Sequence, residues 1–174
     1  APEPIALARN ILYAPAQING DAMLTKRSFI FAAAILFAGA LLHIAVLIGG
    51  AEWIAFVGAP PAIVQSAERG TWLAPASTLA IAALLAVLAG YALSASGVLP
   101  RLPFVRSVLG LFAAIFVLRG LIVVPALLQG RVNWAAPVDV FIIASSAAIL
   151  ALGVALCLGL WSLRRSKVRP ATPN

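Results

Sequence analysis

Residues 28–50 read SFIFAAAILFAGALLHIAVLIGG, 23 positions without a single Asp, Glu, Lys or Arg. At 1.5 Å per residue such a helix spans about 34 Å, enough to cross the hydrocarbon core of a bilayer with some tilt. Lys26 and Arg27 precede it. The apolar run exceeds the ~7–15 residues of a signal-peptide core, so it reads as a retained transmembrane span. Three more stretches of the same kind follow, at about residues 74–98, 104–128 and 137–163. Pro75 and Pro137 suit the first turns of their helices, where a missing N–H costs nothing.

Composition agrees. The chain of 174 residues is 63% hydrophobic and 10% charged, against roughly 45–50% and 25% for soluble domains. No soluble fold of this size can hide that much apolar surface. The net charge is +7, yet the basic residues stand in short clusters beside the spans rather than in a nucleic-acid-binding stripe, so nucleic acid is not an expected partner. The expected partner is the lipid bilayer, with other membrane subunits or further copies of the chain as candidates. Cys157 stands alone, which excludes an intrachain disulfide, and it reads as a buried structural thiol.

If the spans alternate, Lys26, Arg27, Arg101, Arg106, Arg164, Arg165, Lys167 and Arg169 share one side and only Arg69 and Arg131 lie on the other. The positive-inside rule then puts both termini in the cytoplasm. Trp53, Trp72 and Trp134 fall at the outer interface and Trp161 at the inner one, as an aromatic belt requires. The expected fold is all-α and integral to the membrane, an antiparallel four-helix bundle. Residues 1–22, with Pro2, Pro4, Pro15 and Gly20, read as a separate flexible extension, either the remnant of an upstream segment or a loosely ordered tail. Residues 23–174 form the transmembrane domain. The first outer loop contains PPAIVQSAERG (residues 60–70), a short helix started by Pro61 and stopped by Gly70. It lies in the headgroup plane or covers an outer cavity, and amphipathicity fits both.

Small residues mark helix interfaces in lipid. Ala76, Ala80, Ala83, Gly90, Ser94 and Gly97 form one stripe on the second span. Gly39, His43, Val46 and Gly50 form another on the first, and Asp139, Ser146 and Gly153 a third on the fourth. These stripes are expected to face one another.

The chemistry-bearing residues are few. Arg119, in AAIFVLRGLIVV, has no polar neighbour in its own span, and an Arg at a bilayer centre costs at least about 2.5–3.5 kcal/mol. It lies about nine residues, roughly 13 Å, below the outer end of its span, and His43 about 10 Å below the end of the first. Asp139 opens the fourth span and Glu52 follows the first. The expected binding cluster is therefore Arg119, His43, Asp139 and Glu52, with Arg119 pointing inward to Asp139 or His43. Two readings stay open: a structural ion pair, or a site for a small anion or lipid headgroup. Pro125 removes the hydrogen bond to the Leu121 carbonyl and predicts a bend near Gly120, which can open a pocket. One histidine excludes bis-histidine haem and multi-histidine metal sites within a monomer, and no catalytic motif is present. No cofactor is expected. A non-enzymatic structural or accessory subunit is the leading function. An anion or headgroup carrier or receptor is the first alternative, and an enzyme using His43 and Asp139 as acid and base the second.

ALLHIAVLIGG, FVLRGL and VDVFIIASSA resemble the small four-helix membrane proteins of bacterial families of unknown function, over residues 23–163. The resemblance implies a bacterial inner-membrane protein and carries no activity.

Overall fold

The structure is a computed structural model and describes residues 4–168. It is built from helices in the order α1 (Pro4–Gly49), α2 (Ala51–Phe56), α3 (Pro61–Glu68), α4 (Leu73–Ala95), α5 (Val105–Leu121), α6 (Val124–Leu128) and α7 (Pro137–Val168). Four stretches are long and apolar enough to cross a membrane: Ala22–Gly49, Leu73–Ala95, Val105–Leu128 and Pro137–Arg165. They match the four expected spans within a few residues at most boundaries; the first begins six residues early. The backbone is one uninterrupted helix from Pro4 to Gly49, with no break at residue 22 where the extension was expected to end. Arg169 and residues 1–3 lie outside the described residues.

The stops follow local chemistry. Gly97 takes φ 79° after α4, a left-handed position that only glycine adopts without strain. Ser94 then fastens the link: its Oγ donates to the Pro100 carbonyl at 2.8 Å and accepts the Leu102 N–H at 2.9 Å. The third span is interrupted between α5 and α6, where Pro125 deprives the Leu121 carbonyl of its donor.

α1 packs on both α4 and α7, and α5 packs mainly on α7, while α4 and α5 share little beyond their short connection. One core cluster holds Phe29, Leu36, Leu88, Leu109, Leu152 and Leu156, with Val105, Val108, Phe112 and Phe116 of α5 against it. A second holds Val46, Ile54 and Ala74, covered by Ile63, Val64 and Ala67 of α3. The buried Ser66 of α3 accepts the Ala74 N–H at 2.9 Å, joining α3 to the start of α4. The short helix expected at residues 60–70 is therefore present as α3, joined by an unexpected one, α2.

The small-residue stripes do not face one another as expected. α4 packs on α1 and buries Ala74, Thr78, Ala82, Ala89 and Ala92, and Gly39 admits Leu85. Ala76, Ala80 and Ala83 are exposed, and a Cβ on Gly90 would meet nothing within 4 Å. Lipid solvates alanine as well as a partner helix does, so small size alone did not mark the buried face. Gly153 does mark an interface, but with α5: a Cβ there would stand 2.8 Å from the Val117 nitrogen. One on Gly120 would stand 2.7 Å from the Leu150 Cα. Cys157, expected to be buried, is exposed; a lipid-facing position suits an apolar thiol equally well.

We expect Gly120→Ala and Gly153→Ala each to destabilise the bundle by about 1–3 kcal/mol through overpacking against backbone. Gly90→Ala should be neutral or slightly stabilising. Unfolding in detergent followed by circular dichroism distinguishes them, and equal stability of all three variants would show that α5 and α7 do not meet this closely.

Candidate functional site

Arg119 sits in the last turn of α5, and the approach of α5 to α7 decides where it points. Gly120 must face Leu150, so α5 buries Leu109, Ala113 and Gly120. Arg119 is one residue, about 100°, away from that face. It continues the Val108–Phe112–Phe116 stripe by one turn, past the residues that pack on the core cluster, and α4 packs mainly on α1. Arg119 is therefore exposed. Among the described residues it makes neither a hydrogen bond nor an ion pair. The expected inward-pointing Arg119, paired with Asp139 or His43, is not formed.

The other three residues are engaged locally or open. His43 is half-buried, and its Nδ1 lies 2.8 Å from the Gly39 carbonyl of its own helix. A carbonyl only accepts, so this contact places the proton on Nδ1. α7 stands between α1 and α5, packing against both. Asp139, half-buried in the first turn of α7, accepts the Asn133 N–H through Oδ2 at 2.8 Å. Asn133 Oδ1 in turn accepts the Ala135 N–H at 3.1 Å, so Asp139 orders the loop that enters α7. Glu52 is exposed in the first turn of α2, where the helix dipole favours a negative charge. The four residues are not joined by any hydrogen bond or ion pair. No group of three or more His, Cys, Asp or Glu among the described residues is placed to hold a metal.

Two grooves lie elsewhere. One, of about 390 Å³, is lined by Arg27, Ser28 and Phe31 of α1 with Ala151, Val154 and Leu158 of α7, and is almost wholly apolar. The other, of about 440 Å³, lies between the end of α4, the link to α5, and Leu163. Arg101 and Arg106 line it. Sequence reasoning used these two arginines only to orient the spans; the signal it passed over was two basic residues five apart around a short, proline-bearing link. It placed Ser146 only in a packing stripe; its hydroxyl is fully buried and has no hydrogen-bond partner among the described residues. Comparison with known protein families, characterised proteins and solved structures finds no match to this chain.

If Arg119 and Asp139 are independent, Arg119→Leu should leave the stability of the isolated protein unchanged or improved. Asp139→Ala should cost about 1.5 kcal/mol, the lower end for a hydrogen bond to a charged group. The double variant should be additive within about 0.5 kcal/mol. A coupling above 1 kcal/mol in unfolding experiments would restore the ion pair.

Proposed function

We propose that this protein is a non-enzymatic accessory subunit of a bacterial inner-membrane assembly, docked through the Arg119 side of α5 onto a transmembrane helix that carries a carboxylate. The observation that carries this reading is the exposed, unpartnered Arg119 within a membrane span. Its surroundings support it. Only 11% of the most apolar window of the third span is buried, against 28% for each of the other three. Leu111 and Leu118 are 61% and 70% exposed. A desolvated Arg needs an opposite charge, and the one carboxylate that a second copy carries within a span already accepts the Asn133 N–H near the span's end. The five acidic residues are Glu3, Asp21, Glu52, Glu68 and Asp139, and only Asp139 falls inside a span, at its third residue. The partner is accordingly a different chain. The exposed Ala76, Ala80 and Ala83 of α4 offer a second surface on which a helix can pack closely.

In this reading the spans run alternately and both termini are cytoplasmic. Thr25 bonds Ser162 and Phe29 lies against Gly159 near one end of the first span, while Val46 meets Ala74 near the other; these contacts support an antiparallel bundle. α3 lies at the outer headgroup level, with Ile63, Val64 and Ala67 against the bundle end and Gln65, Glu68 and Arg69 exposed. Trp53 and Trp72, also exposed, flank it as interfacial anchors. The resemblance to small four-helix bacterial membrane proteins supports the location.

A photo-crosslinking residue at Ile115, with Phe37 on α1 as control, tests the docking in native membranes. We expect an Ile115 adduct with one membrane protein that bears an Asp or Glu in a span. Arg119→Leu should abolish it, as should the partner's Asp→Asn or Glu→Gln, with the bundle still folded. An adduct that persists in Arg119→Leu, or adducts with lipid alone, would overturn the proposal and leave Arg119 as a residue that snorkels to the headgroups.

A further inference from the structure

The groove at the α4–α5 connection is the most polar concavity described above, and its surroundings identify what fits it. Its walls combine two guanidinium-bearing side chains, Arg101 and Arg106, with Ala95, Leu102, Val105 and Leu163, and no acidic residue lines it. Arg106 Nη2 donates to the Leu163 carbonyl at 3.3 Å, which draws its side chain toward the end of α7. That carbonyl belongs to the last turns of a helix and leaves the other guanidinium donors free. Arg101 makes no hydrogen bond or ion pair among the described residues. Two positive charges thus stand at one groove without a negative one.

The link beside the groove is apolar and exposed. Val98 is 54% exposed and Phe104 80%, with Leu99 and Leu102 also open. Four such side chains on the nine-residue connection between α4 and α5 are unfavourable in water and favourable at the boundary between acyl chains and headgroups. The groove accordingly opens at headgroup depth, with basic groups above and apolar groups below. We propose that this groove is a binding site for an anionic phospholipid, whose phosphate is held by Arg101 and Arg106 and whose upper acyl chain lies on Leu102, Val105 and Leu163. A free phosphate would meet the same two charges but gain nothing from the apolar wall, so the lipid is the occupant. The site is remote from Arg119 and does not depend on the docking proposed there.

Native mass spectrometry of the full chain in detergent tests this, with phosphatidylglycerol, phosphatidylcholine and inorganic phosphate as separate probes. Phosphatidylglycerol should be retained in preference to phosphatidylcholine and should raise the thermal midpoint. Arg101→Gln should weaken its retention about fivefold, the factor expected for one basic contact to an anionic headgroup. Arg101 bonds nothing in the protein, so this variant is expected to fold; Arg131→Gln, at a distant loop, should retain the lipid as the unaltered chain does. Equal retention of the two lipids would overturn the proposal, as would undiminished retention in Arg101→Gln. Stabilisation by inorganic phosphate equal to that by phosphatidylglycerol, lost in the same variant, would also overturn it, since the ligand would then be a free anion.

Discussion

The near-contact of backbones between α5 and α7, at Gly120 beside Leu150 and at Gly153 beside Val117, sets the rotation of every neighbouring side chain. In lipid the hydrophobic effect does not draw helices together, so close packing has to. A glycine on each helix permits an approach that any Cβ would block. Once Gly120 is turned to α7, the Phe112 and Phe116 rings fall on the flank that meets the core, and Arg119 falls one turn beyond them, past the last neighbour. α7 in turn carries α1 on its other side, through Gly159 under the Phe29 ring. Hydrogen bonds add little to this scaffold. Those described between spanning helices, Thr25 with Ser162 and Arg106 with the Leu163 carbonyl, are both at one end of the bundle.

Where the spans begin and end was readable because the bilayer tests each residue in the same way. A run of apolar residues of the right length crosses, and Pro61, Gly70, Pro125 and Pro137 punctuate the chain for local steric reasons. Which side of each span is buried was not readable by the same means. In water a polar face and an apolar face differ in composition; in a membrane both faces are apolar, and periodicity no longer separates inside from outside. Ala76, Ala80 and Ala83 therefore looked like an interface and are exposed, while Ala82, Ala89 and Ala92, equally small, are buried. The candidate cluster failed for the same reason. Depth along the axis put Arg119, His43 and Asp139 in one half of the bilayer, but rotation about each axis decides whether they meet, and two glycines on α5 and α7 fixed that rotation. α2 was missed because AEWIAF is one and a half turns whose stability comes from Ile54 packing on Val46 and Ala74, a tertiary contact.

The two ends of the bundle differ in a way that bears on how the molecule sits in its membrane. At the end capped by α2 and α3, three polar side chains are bonded internally: Ser66 bonds Thr71 and the Ala74 N–H, and Asp139 bonds the Asn133 N–H. At the opposite end Arg101 is unpaired, Arg165 lies 3.6 Å over the exposed Trp161 ring, and the link carries exposed apolar side chains. The anionic phospholipid proposed for the groove at the α4–α5 connection would lie at this second end.

Arg119 belongs to neither end, and this is why it weighs so much in the reading of function. Among the described residues it makes no hydrogen bond and no ion pair, and it is exposed, yet it carries the insertion cost of a cation in hydrocarbon. The compensation must come from outside the chain. Snorkelling supplies part of it, but α6 and the loop after it lie on the outward path, and roughly 13 Å separates the Arg119 backbone from the end of its span. α4 packs mainly on α1, and Arg119 on α5 is exposed. A helix from another chain that enters there meets the guanidinium and the Leu111, Ile115 and Leu118 side of α5 together. In the docking we propose, a carboxylate on that helix would convert the unpaired charge from a cost of insertion into a condition for assembly.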